Sequence, residues 1–328
     1  MSRLGIYYEH PDWFRPLFQE LERRGVPHDR IDARSHGFDP AGEVAWDVAF
    51  NRMSPSAWLR GAGHAISYTG EFLAHLERRG VRVINGTRAW RTEVSKAAQI
   101  ALLDELDLPH PRTRVCNHPA ALVDAAEGLR YPVIVKPNVG GSGAGVRRFD
   151  DPVALAAWAS RGGLDAGADG TLLVQEYVPP EAGRIVRVEV LDGRFLYAIR
   201  IYAPADSFNL CPADVCQSVD GAELSRSACA LDAPLNGLRV EAYTPPPRVI
   251  AEVERITAAA GIEIGGVEYV VDERDGGHVF YDVNALSNFV ADGPRVLGFD
   301  PFARLVDWLE AELADAARAP RVTGLEVA

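Results

Sequence analysis

Hydrophobic and polar positions follow two different periods in the first ninety residues. Apolar runs at 4–8 (LGIYY), 46–53 (WDVAFNRM) and 81–86 (VRVING) have the length and the β-branched or aromatic content of buried strands. Between them, residues 12–25 and 71–80 place apolar side chains at helical spacing, and both stretches end at a glycine. Because strands that alternate with helices form parallel sheets, this part of the chain is expected to be a small α/β unit.

The middle of the chain has a different order of elements. Residues 91–111 predict a single helix that stops before Pro109. The segments after it predict, in order, a strand, a return strand, a helix and a further strand, at 131–136, 146–151, 151–161 and 171–178. The first two of these strands are expected to form a hairpin around a glycine-rich loop.

The last third of the chain predicts two β-hairpins and two amphipathic helices. The hairpins occupy 185–202 and 265–285, and the first of them has an Asp-Gly turn. The helices occupy 247–261 and 301–318, and the last ten residues are expected to be a loose tail.

Residues 203–247 show no hydrophobic period and are rich in Asp, Ser, Asn, Pro and Gly. A connection of this length inside a compact domain is usually functional. The segment is therefore predicted to be a functional loop. Its cysteines Cys211 and Cys216 are interpreted as packing residues, because nothing local to them supplies a base.

Composition and charge exclude several classes of protein. With 328 residues, 47% hydrophobic and 24% charged, the chain resembles a soluble globular protein of two or three subdomains. A net charge of −12 argues against general affinity for nucleic acid or anionic membranes, and no apolar stretch is long enough to span a membrane. The N-terminus has no signal-peptide pattern, so a cytoplasmic location with reduced cysteines is expected.

Lysine is almost absent from the chain. Of the 34 basic residues only Lys96 and Lys136 are lysines, and the other 32 are arginines. In so arginine-rich a chain, lysine is expected chiefly where a compact, mobile ammonium is needed and a planar guanidinium does not serve. Lys136 lies immediately before the glycine-rich loop, which points to a role for its charge there.

The loop at 138–145 (NVGGSGAG) has the bare backbone that can approach phosphate oxygens and direct N–H groups at them. A flexible turn without a ligand is the alternative. The P-loop spacing is absent because no lysine follows the loop, and residues 146–151 continue as a strand instead of opening a dinucleotide-binding helix. The loop is therefore predicted to be the tip of a β-hairpin that can fold over a triphosphate.

Four features occur in an order that resembles the ATP-grasp superfamily: Lys96 on a helix, Lys136 before a glycine hairpin, QEYV at 175–178, and an acidic-x-Asn pattern at 282–284. The resemblance covers about residues 87–313. Within the superfamily the chain looks most like the glutathione synthase and α-L-glutamate ligase (RimK-like) branch of carboxylate–amine ligases.

The resemblance implies an α/β fold in which a parallel pre-ATP-grasp domain precedes two α+β subdomains that grip ATP. The pre-ATP-grasp domain is expected at 1–90, the small subdomain with the glycine flap at 91–180, and the C-terminal subdomain with the metal site at 181–318. Residues 319–328 form the tail.

The same resemblance implies the nucleotide-binding residues. The two lysines would contact phosphates, and the glycine flap would cover the β- and γ-phosphates. The interdomain hinge, residues 175–178, would bind adenine, chiefly through Glu176. Glu181 would accept from a ribose hydroxyl, or would be a surface acid. The predicted set is Lys96, Lys136, Gly140, Gly141, Ser142, Gly143, Gly145, Gln175, Glu176, Tyr177, Val178 and Glu181.

A metal site is predicted on the last hairpin. Glu268 lies on one of its strands, and Asp282 and Asn284 lie two residues apart on the other, so that alternation puts them on one face. Oxygen ligands without His or Cys indicate Mg²⁺ or Mn²⁺. The family usually has Asp where Glu268 stands and Glu where Asp282 stands, which keeps both charges, changes their reach and leaves the number of metal ions open. Solvated surface acids are the alternative.

Two arginines are predicted to be catalytic. Arg187 and Arg200 match family arginines that contact phosphate and acyl-phosphate oxygens, and ordinary strand-surface cations are the alternative. After Asn284 the chain departs from the family's usual Ser-Pro-Gly, in the region where the family binds its acceptor. The predicted substrate-binding residues are Asn209, Ser287 and Asn288.

These features together predict an ATP-dependent carboxylate–amine ligase that uses ATP with Mg²⁺ or Mn²⁺ and forms an acyl phosphate. The substrates are expected to be a small carboxylate and an amine, with an amino acid or peptide favoured. No nucleic-acid or membrane partner is expected, and a homo-oligomer is left open. The alternatives are an ATP-grasp kinase and a non-catalytic nucleotide-binding module.

Overall fold

The structure, a computed structural model, describes residues 2–141, 145–161, 166–202, 239–290 and 292–318. Within these ranges, thirteen strands form three sheets. No helix in the described part of the chain is long and apolar enough to cross a membrane.

Three predicted site residues lie outside the described ranges: Ser142 and Gly143 in the glycine loop, and Asn209. Most of the predicted functional loop at 203–247 and the whole of the tail at 319–328 also lie outside them.

The first sheet is parallel and belongs to the N-terminal ninety residues. The elements are β1 (Leu4–Tyr8), α1 (Arg15–Arg24), β2 (His28–Asp32), β3 (Val48–Arg52), α2 (His64–Arg78) and β4 (Arg82–Ile84). Its order is β2-β1-β3-β4; helix α1 connects β1 to β2, and helix α2 connects β3 to β4. The predicted parallel α/β unit is confirmed. Strand β2 was not predicted, because this edge strand fully buries only Ile31 and its HDRID sequence has no apolar run.

Two helices follow where one was predicted. Helices α3 (Thr87–Glu93) and α4 (Lys96–Glu105) are separated by a break at Ser95, whose backbone is extended (φ −140°, ψ 103°). The Ser95 hydroxyl accepts a hydrogen bond from the N–H of Ala98 at 3.1 Å. The prediction of one continuous helix is wrong because Ser95 is an N-cap, a position that strongly prefers serine. The break places Lys96 in the first turn of α4.

The second sheet is antiparallel and has the order β5-β8-β6-β7. Its elements are β5 (Thr113–Cys116), α5 (Leu122–Ala125), β6 (Val133–Pro137), β7 (Arg147–Phe149), α6 (Pro152–Ala159) and β8 (Leu172–Glu176). Strands β6 and β7 form the predicted hairpin around the glycine loop. Strand β5 was not predicted, because it lies at an edge and leaves Arg114 and Val115 exposed.

The third sheet is antiparallel and has the order β11-β10-β9-β12-β13. Its strands are β9 (Arg184–Leu191), β10 (Arg194–Tyr202), β11 (Arg239–Tyr243), β12 (Ile264–Val271) and β13 (His278–Asn284). The accompanying helices are α7 (Pro247–Ala260), α8 (Gly293–Leu297) and α9 (Pro301–Arg318). Both predicted hairpins are confirmed. Strand β11 corrects the expectation that 203–247 has no regular structure, since its side chains are only partly buried and give no apolar run.

The third sheet separates two parts of the hydrophobic core. Ile185 and Ile199 lie on one face, in a cluster that continues into α1, α9 and the first sheet. Val186 and Val188 lie on the other face and pack with residues of α7 and α4. The first and third sheets therefore share one continuous apolar cluster.

Asn85, just after β4, joins the first sheet to the third. Its backbone is left-handed (φ 52°), a conformation that asparagine tolerates better than most residues. Its side-chain Nδ2 donates to the carbonyl oxygens of Ile264 at 2.6 Å and Ala285 at 2.7 Å, and its Oδ1 accepts from the N–H of Glu263 at 2.9 Å. One amide therefore contacts the start of β12 and the residue that follows β13.

Candidate functional site

The strand register brings the predicted metal ligands onto one face of the third sheet. Glu268 on β12 lies directly opposite Asp282 on β13, and Asn284 lies opposite Gly266. The Asn284 Nδ2 donates to Asp282 Oδ2 at 3.0 Å. Because residues opposite one another in a sheet point to the same side, two carboxylates and one amide share this face.

A register shift next to Glu268 adds a further contact. The pairing of β12 with β13 shifts by one residue between Glu268, opposite Asp282, and Tyr269, opposite Phe280. The Tyr281 hydroxyl donates to Glu268 Oε2 at 2.7 Å. Burial raises the pKa of Glu268 above its usual range, although the neighbouring Arg187 opposes this shift.

Both lysines of the chain lie near this face, and the charges of both act on Asp282. The Lys96 Nζ lies 2.6 Å from Asp282 Oδ1, because the N-cap at Ser95 begins α4 beside the edge strand β13. The Lys136 Nζ, at the end of β6, donates to the Gln175 side-chain oxygen at 3.0 Å. The two cations thus come from different elements, one from α4 and one from the second sheet.

Burial and mutual charge set the pKa values of these groups. Burial alone would lower the pKa of Lys96 and raise that of Asp282, but their ion pair outweighs burial and shifts both the other way. Burial, together with the charge of Lys96, lowers the pKa of Lys136 to about 7. The site therefore holds one firmly charged lysine and one that changes its charge near neutral pH.

Arg187 on β9 occupies the centre of the same face, opposite Glu268. Its Nη1 donates to Glu268 Oε1 at 2.7 Å and its Nε to Glu189 Oε1 at 2.5 Å. The Nη2 donates to the hydroxyl of Ser287 at 3.2 Å. Burial would lower the pKa of Arg187, but the two carboxylates raise it further above its already high range, so the guanidinium is a permanent cation.

The donor set fits Mg²⁺. In the part of the chain that the structure describes, no three His, Cys, Asp or Glu side chains are grouped to hold a metal ion. What the hairpin offers is two carboxylates and one amide oxygen, from Glu268, Asp282 and Asn284. Mg²⁺ characteristically takes one or two protein carboxylates and completes its shell with substrate phosphates and water.

The structure does not bring Arg200 to this face. Arg200 lies opposite Val186 on β9, whereas Arg187 lies opposite Ile199, so the two arginines point to opposite sides of the sheet. The Arg200 guanidinium carbon lies 3.7 Å from the centre of the Tyr243 ring. The alternation along two paired strands depends on their register, which the sequence alone did not supply.

The predicted hinge residues are held by contacts within the protein. Gln175 bonds Lys136 through its oxygen and donates through its Nε2 to Thr113 Oγ1 at 2.9 Å. The Glu176 Oε1 accepts from the N–H of Arg130 at 2.9 Å. The Tyr177 N–H donates to a backbone carbonyl, and the Tyr177 ring lies beneath a guanidinium group.

Two further hinge residues also have contacts of their own. Val178 packs at the margin of the core cluster shared by the first and third sheets. Glu181 forms an ion pair with Arg184. The adenine and ribose roles of the hinge remain predictions.

The described glycines of the flap lie against neighbouring backbone and side chains. A Cβ at Gly145, whose φ is +75°, would lie 3.1 Å from Pro137 Cδ, and a Cβ at Gly141 would lie 3.3 Å from Ser56 Cβ. A Cβ at Gly140 would meet Pro137 only at 3.7 Å. The base of the flap is thus packed between the second sheet and the N-terminal unit.

The predicted substrate residues Ser287 and Asn288 are both buried. The Ser287 hydroxyl donates to Glu189 and accepts from Arg187, and its carbonyl oxygen accepts from the guanidinium of Arg52. Ser287 therefore serves internal contacts, and a direct role toward substrate remains a prediction, as it does for Asn288.

Sequence reasoning missed three residues that shape the site. Glu189 interrupts an apolar strand, a pattern that could have identified it. Gly266 leaves room for a guanidinium, since a Cβ there would lie 2.9 Å from Arg187 Nη2. Glu93 accepts from the backbone N–H groups of Ala285 and Leu286, and burial raises the pKa of Glu93 to about 7.

Comparisons with known proteins agree with this architecture. No protein-family model matches the chain. Among curated proteins, a probable alpha-L-glutamate ligase of Citrobacter koseri is 26% identical over 254 residues, which is 76% of this chain and 74% of that protein.

Three solved structures share the fold over nearly the whole chain. The ATP-grasp ligase PsnB, complexed with a minimal precursor, has a TM-score of 0.64 and 21% identity, and covers 95% of this chain and 100% of its own. A RimK domain ATP-grasp protein from Sphaerobacter thermophilus has a TM-score of 0.64, 21% identity and coverages of 94% and 100%. D-alanyl-alanine synthetase A from Vibrio cholerae has a TM-score of 0.67, 15% identity and coverages of 95% and 98%.

The chain therefore has the ATP-grasp fold, and the predicted α/β architecture is confirmed. The predicted resemblance to ATP-grasp ligases of the RimK-like type is also confirmed.

Proposed function

We propose that the protein is an ATP-dependent carboxylate–amine ligase that forms an amide or peptide bond. The observation that carries the proposal is that three cations, from three different elements, lie close to an oxygen-donor set on one buried sheet face. These residues are Lys96, Lys136, Arg187, Glu268, Asp282 and Asn284. Such a face suits a reaction in which negative charge moves between phosphate and carboxylate oxygens.

In the proposed reaction a substrate carboxylate oxygen attacks the γ-phosphorus of ATP. The bond between that phosphorus and the β–γ bridging oxygen breaks, and ADP and an acyl phosphate form. An uncharged amine then attacks the acyl carbon, the carbon–oxygen bond to phosphate breaks, and the amine nitrogen gives up a proton. Lys96, Lys136 and Arg187 would stabilise charge on the phosphate oxygens, so that positioning and electrostatics carry the catalysis.

Glu268, Asp282 and Asn284 would hold Mg²⁺, which when bound neutralises charge on the nucleotide phosphates. PsnB has been solved with Mg and ADP, which supports the use of ATP and Mg²⁺ here. Mn²⁺ is a second cation that the same oxygen donors accept.

The substrates are proposed to be a small carboxylate and an amine, with an amino acid or a peptide favoured. PsnB is complexed with a precursor peptide, and the name of the Citrobacter koseri relative specifies glutamate ligation. A cytoplasmic location is part of the proposal because the reaction consumes ATP.

The proposal is tested by incubating the purified protein with ATP, Mg²⁺ and a panel of amino acids and peptides while phosphate release is recorded. Release that requires both a carboxylate and an amine, with an amide product detected by mass spectrometry, is the expected result. A phosphorylated product formed without an amine would identify a kinase. Nucleotide binding without turnover across the panel would identify a binding module.

A further inference from the structure

Glu189 is a buried carboxylate beside the site and is only 1% exposed. It lies two residues from Arg187 on β9, so both side chains project from the same face. One of its oxygens accepts from Arg187 Nε at 2.5 Å, and the other accepts from the hydroxyl of Ser287. A carboxylate buried this deeply requires charged or hydrogen-bonded partners, and both of its oxygens have them.

The guanidinium of Arg187 is shared between two acids. Glu189 and Ser287 hold its Nε and Nη2, while its Nη1 reaches Glu268 Oε1 at 2.7 Å. Gly266 lies opposite Glu189 in the pairing of β12 with β9 and leaves the space that the guanidinium occupies. Glu189 and Ser287 therefore fix the Nε and Nη2 atoms of Arg187, and its Nη1 atom points toward the proposed metal ligand Glu268.

The charges of Arg187, Glu189 and Glu268 indicate a role for Glu189. Arg187 and Glu189 together are neutral, so Glu268 keeps a negative charge that is not fully committed to the arginine. If Glu189 carried no charge, Arg187 would have Glu268 as its only carboxylate among the contacts described here, and would compete with any cation for it.

We propose that Glu189 is a positioning residue, which neutralises and orients Arg187 so that the Glu268 carboxylate stays available to Mg²⁺. The inference rests on the proposed function, because metal binding by Glu268 is part of that function. It adds a residue that acts through Arg187 and does not itself touch the nucleotide.

The test uses Glu189→Gln, which keeps the size of the side chain and removes its charge. Mg²⁺ affinity is measured by calorimetry with a non-hydrolysable ATP analogue bound, and nucleotide affinity is measured separately in EDTA. The half-saturating Mg²⁺ concentration is expected to rise about ten- to a hundredfold, the range of one charge-assisted hydrogen bond, and by more than any change in nucleotide affinity in EDTA.

Glu252→Gln is the matched control. Glu252 is also a buried acid, 5% exposed on α7, and its carboxylate contacts Arg248 and His278 at 2.8 and 2.6 Å. If burial of an acid were the whole effect, both variants would lower the unfolding temperature and neither would change Mg²⁺ affinity. A shift in Mg²⁺ affinity confined to Glu189→Gln supports the positioning role.

Ser287→Ala is the second variant, for the case in which Glu189→Gln does not fold. It leaves every charge in place and removes the hydroxyl that joins Glu189 to Arg187, so a rise of about threefold in half-saturating Mg²⁺ is expected. Wild-type Mg²⁺ affinity in every folded variant overturns the inference and leaves the proposed function standing. A wild-type protein that binds no Mg²⁺ with the analogue present overturns both.

Discussion

At the scale of single residues, Lys136 and Lys96 differ in the charge of the side chains that they contact. Lys96 pairs with the Asp282 carboxylate, whereas Lys136 donates to the neutral side chain of Gln175. Lys136→Met is expected to fold normally and to lose ATP affinity by about ten- to a hundredfold, because one charge-assisted phosphate contact is removed. Calorimetry measures the loss, with Arg304→Met, an exposed cation on α9, as the control. Equal affinities would remove Lys136 from the site.

The depressed pKa of Lys136 predicts that nucleotide binding depends on pH. With a pKa of about 7, Lys136 loses its charge as pH rises through neutrality. Phosphates favour the charged form, so binding raises this pKa and takes up a proton, and ATP affinity is expected to fall between about pH 7 and pH 9. Titrations in buffers of different ionisation heat measure the uptake. Lys136→Met should show less of it, and an equal uptake would assign the proton to another group.

The proposed metal ligands are tested separately from the nucleotide contacts. Asp282→Ala and Asn284→Ala are each expected to abolish turnover, because the bound cation acts on charge that develops in the transition state. Nucleotide affinity measured in EDTA should stay within about threefold of wild type. Turnover at the wild-type rate in both variants would show that the metal is held elsewhere.

Spacing alone predicted that Asp282 and Asn284 share one face of the sheet, because alternation within one strand is fixed by the chain itself. For Arg187 and Arg200, spacing alone did not predict the face of the sheet on which each side chain lies. They lie on neighbouring strands, and which arginine shares a face with Glu268 depends on a register set by the hairpin turn and by an irregularity between Phe195 and Tyr197. The sequence alone did not specify that register.

At the scale of secondary structure, the break between α3 and α4 positions Lys96. Ser95→Ala removes the cap on Ala98 and is expected to lower the free energy of unfolding by about 1 kcal/mol. Because Lys96 is the first residue of α4, the KM for ATP should rise as well. Asp151→Ala is the matched control, since Asp151 caps α6 through the N–H of Ala154 at 2.8 Å.

Denaturant unfolding and steady-state kinetics on both variants separate these effects. Similar losses of stability with a raised KM only in Ser95→Ala would support the positioning of Lys96 by its cap. A raised KM in both variants, or in neither, would contradict it.

The elements that the sequence predicted are those with a buried apolar stripe, such as β1, α1, α9 and both hairpins of the third sheet. The strands it did not predict, β2, β5 and β11, lie at sheet edges. An edge strand is held by backbone hydrogen bonds to one neighbour and needs few apolar side chains, so its pattern resembles that of a loop. Tertiary pairing, not local periodicity, determines these three strands.

At the scale of the whole molecule, one apolar core extends from the N-terminal unit into the third sheet. Leu4 and Phe14 of the N-terminal unit lie in the same apolar cluster as Ile185 and Leu305. Salt bridges from Arg82 to Glu263 and Glu312 also connect the N-terminal unit to the last third of the chain. The second sheet has an apolar cluster of its own, with members from Cys116 to Val174, and the predicted domain ranges stay a prediction.

The side chain of Asn85 has a mechanical consequence. Because one amide joins the residue after β4 to the first residue of β12 and the residue after β13, we expect the first and third sheets to move together as one base. With nucleotide bound as proposed, we expect the second sheet, at 113–176, to move relative to this base. Hydrogen–deuterium exchange with and without nucleotide should change most in β6 and β8 and least at 82–85 and in β12. Equal changes on both sides of the Asn85 contacts would mean that the base itself flexes.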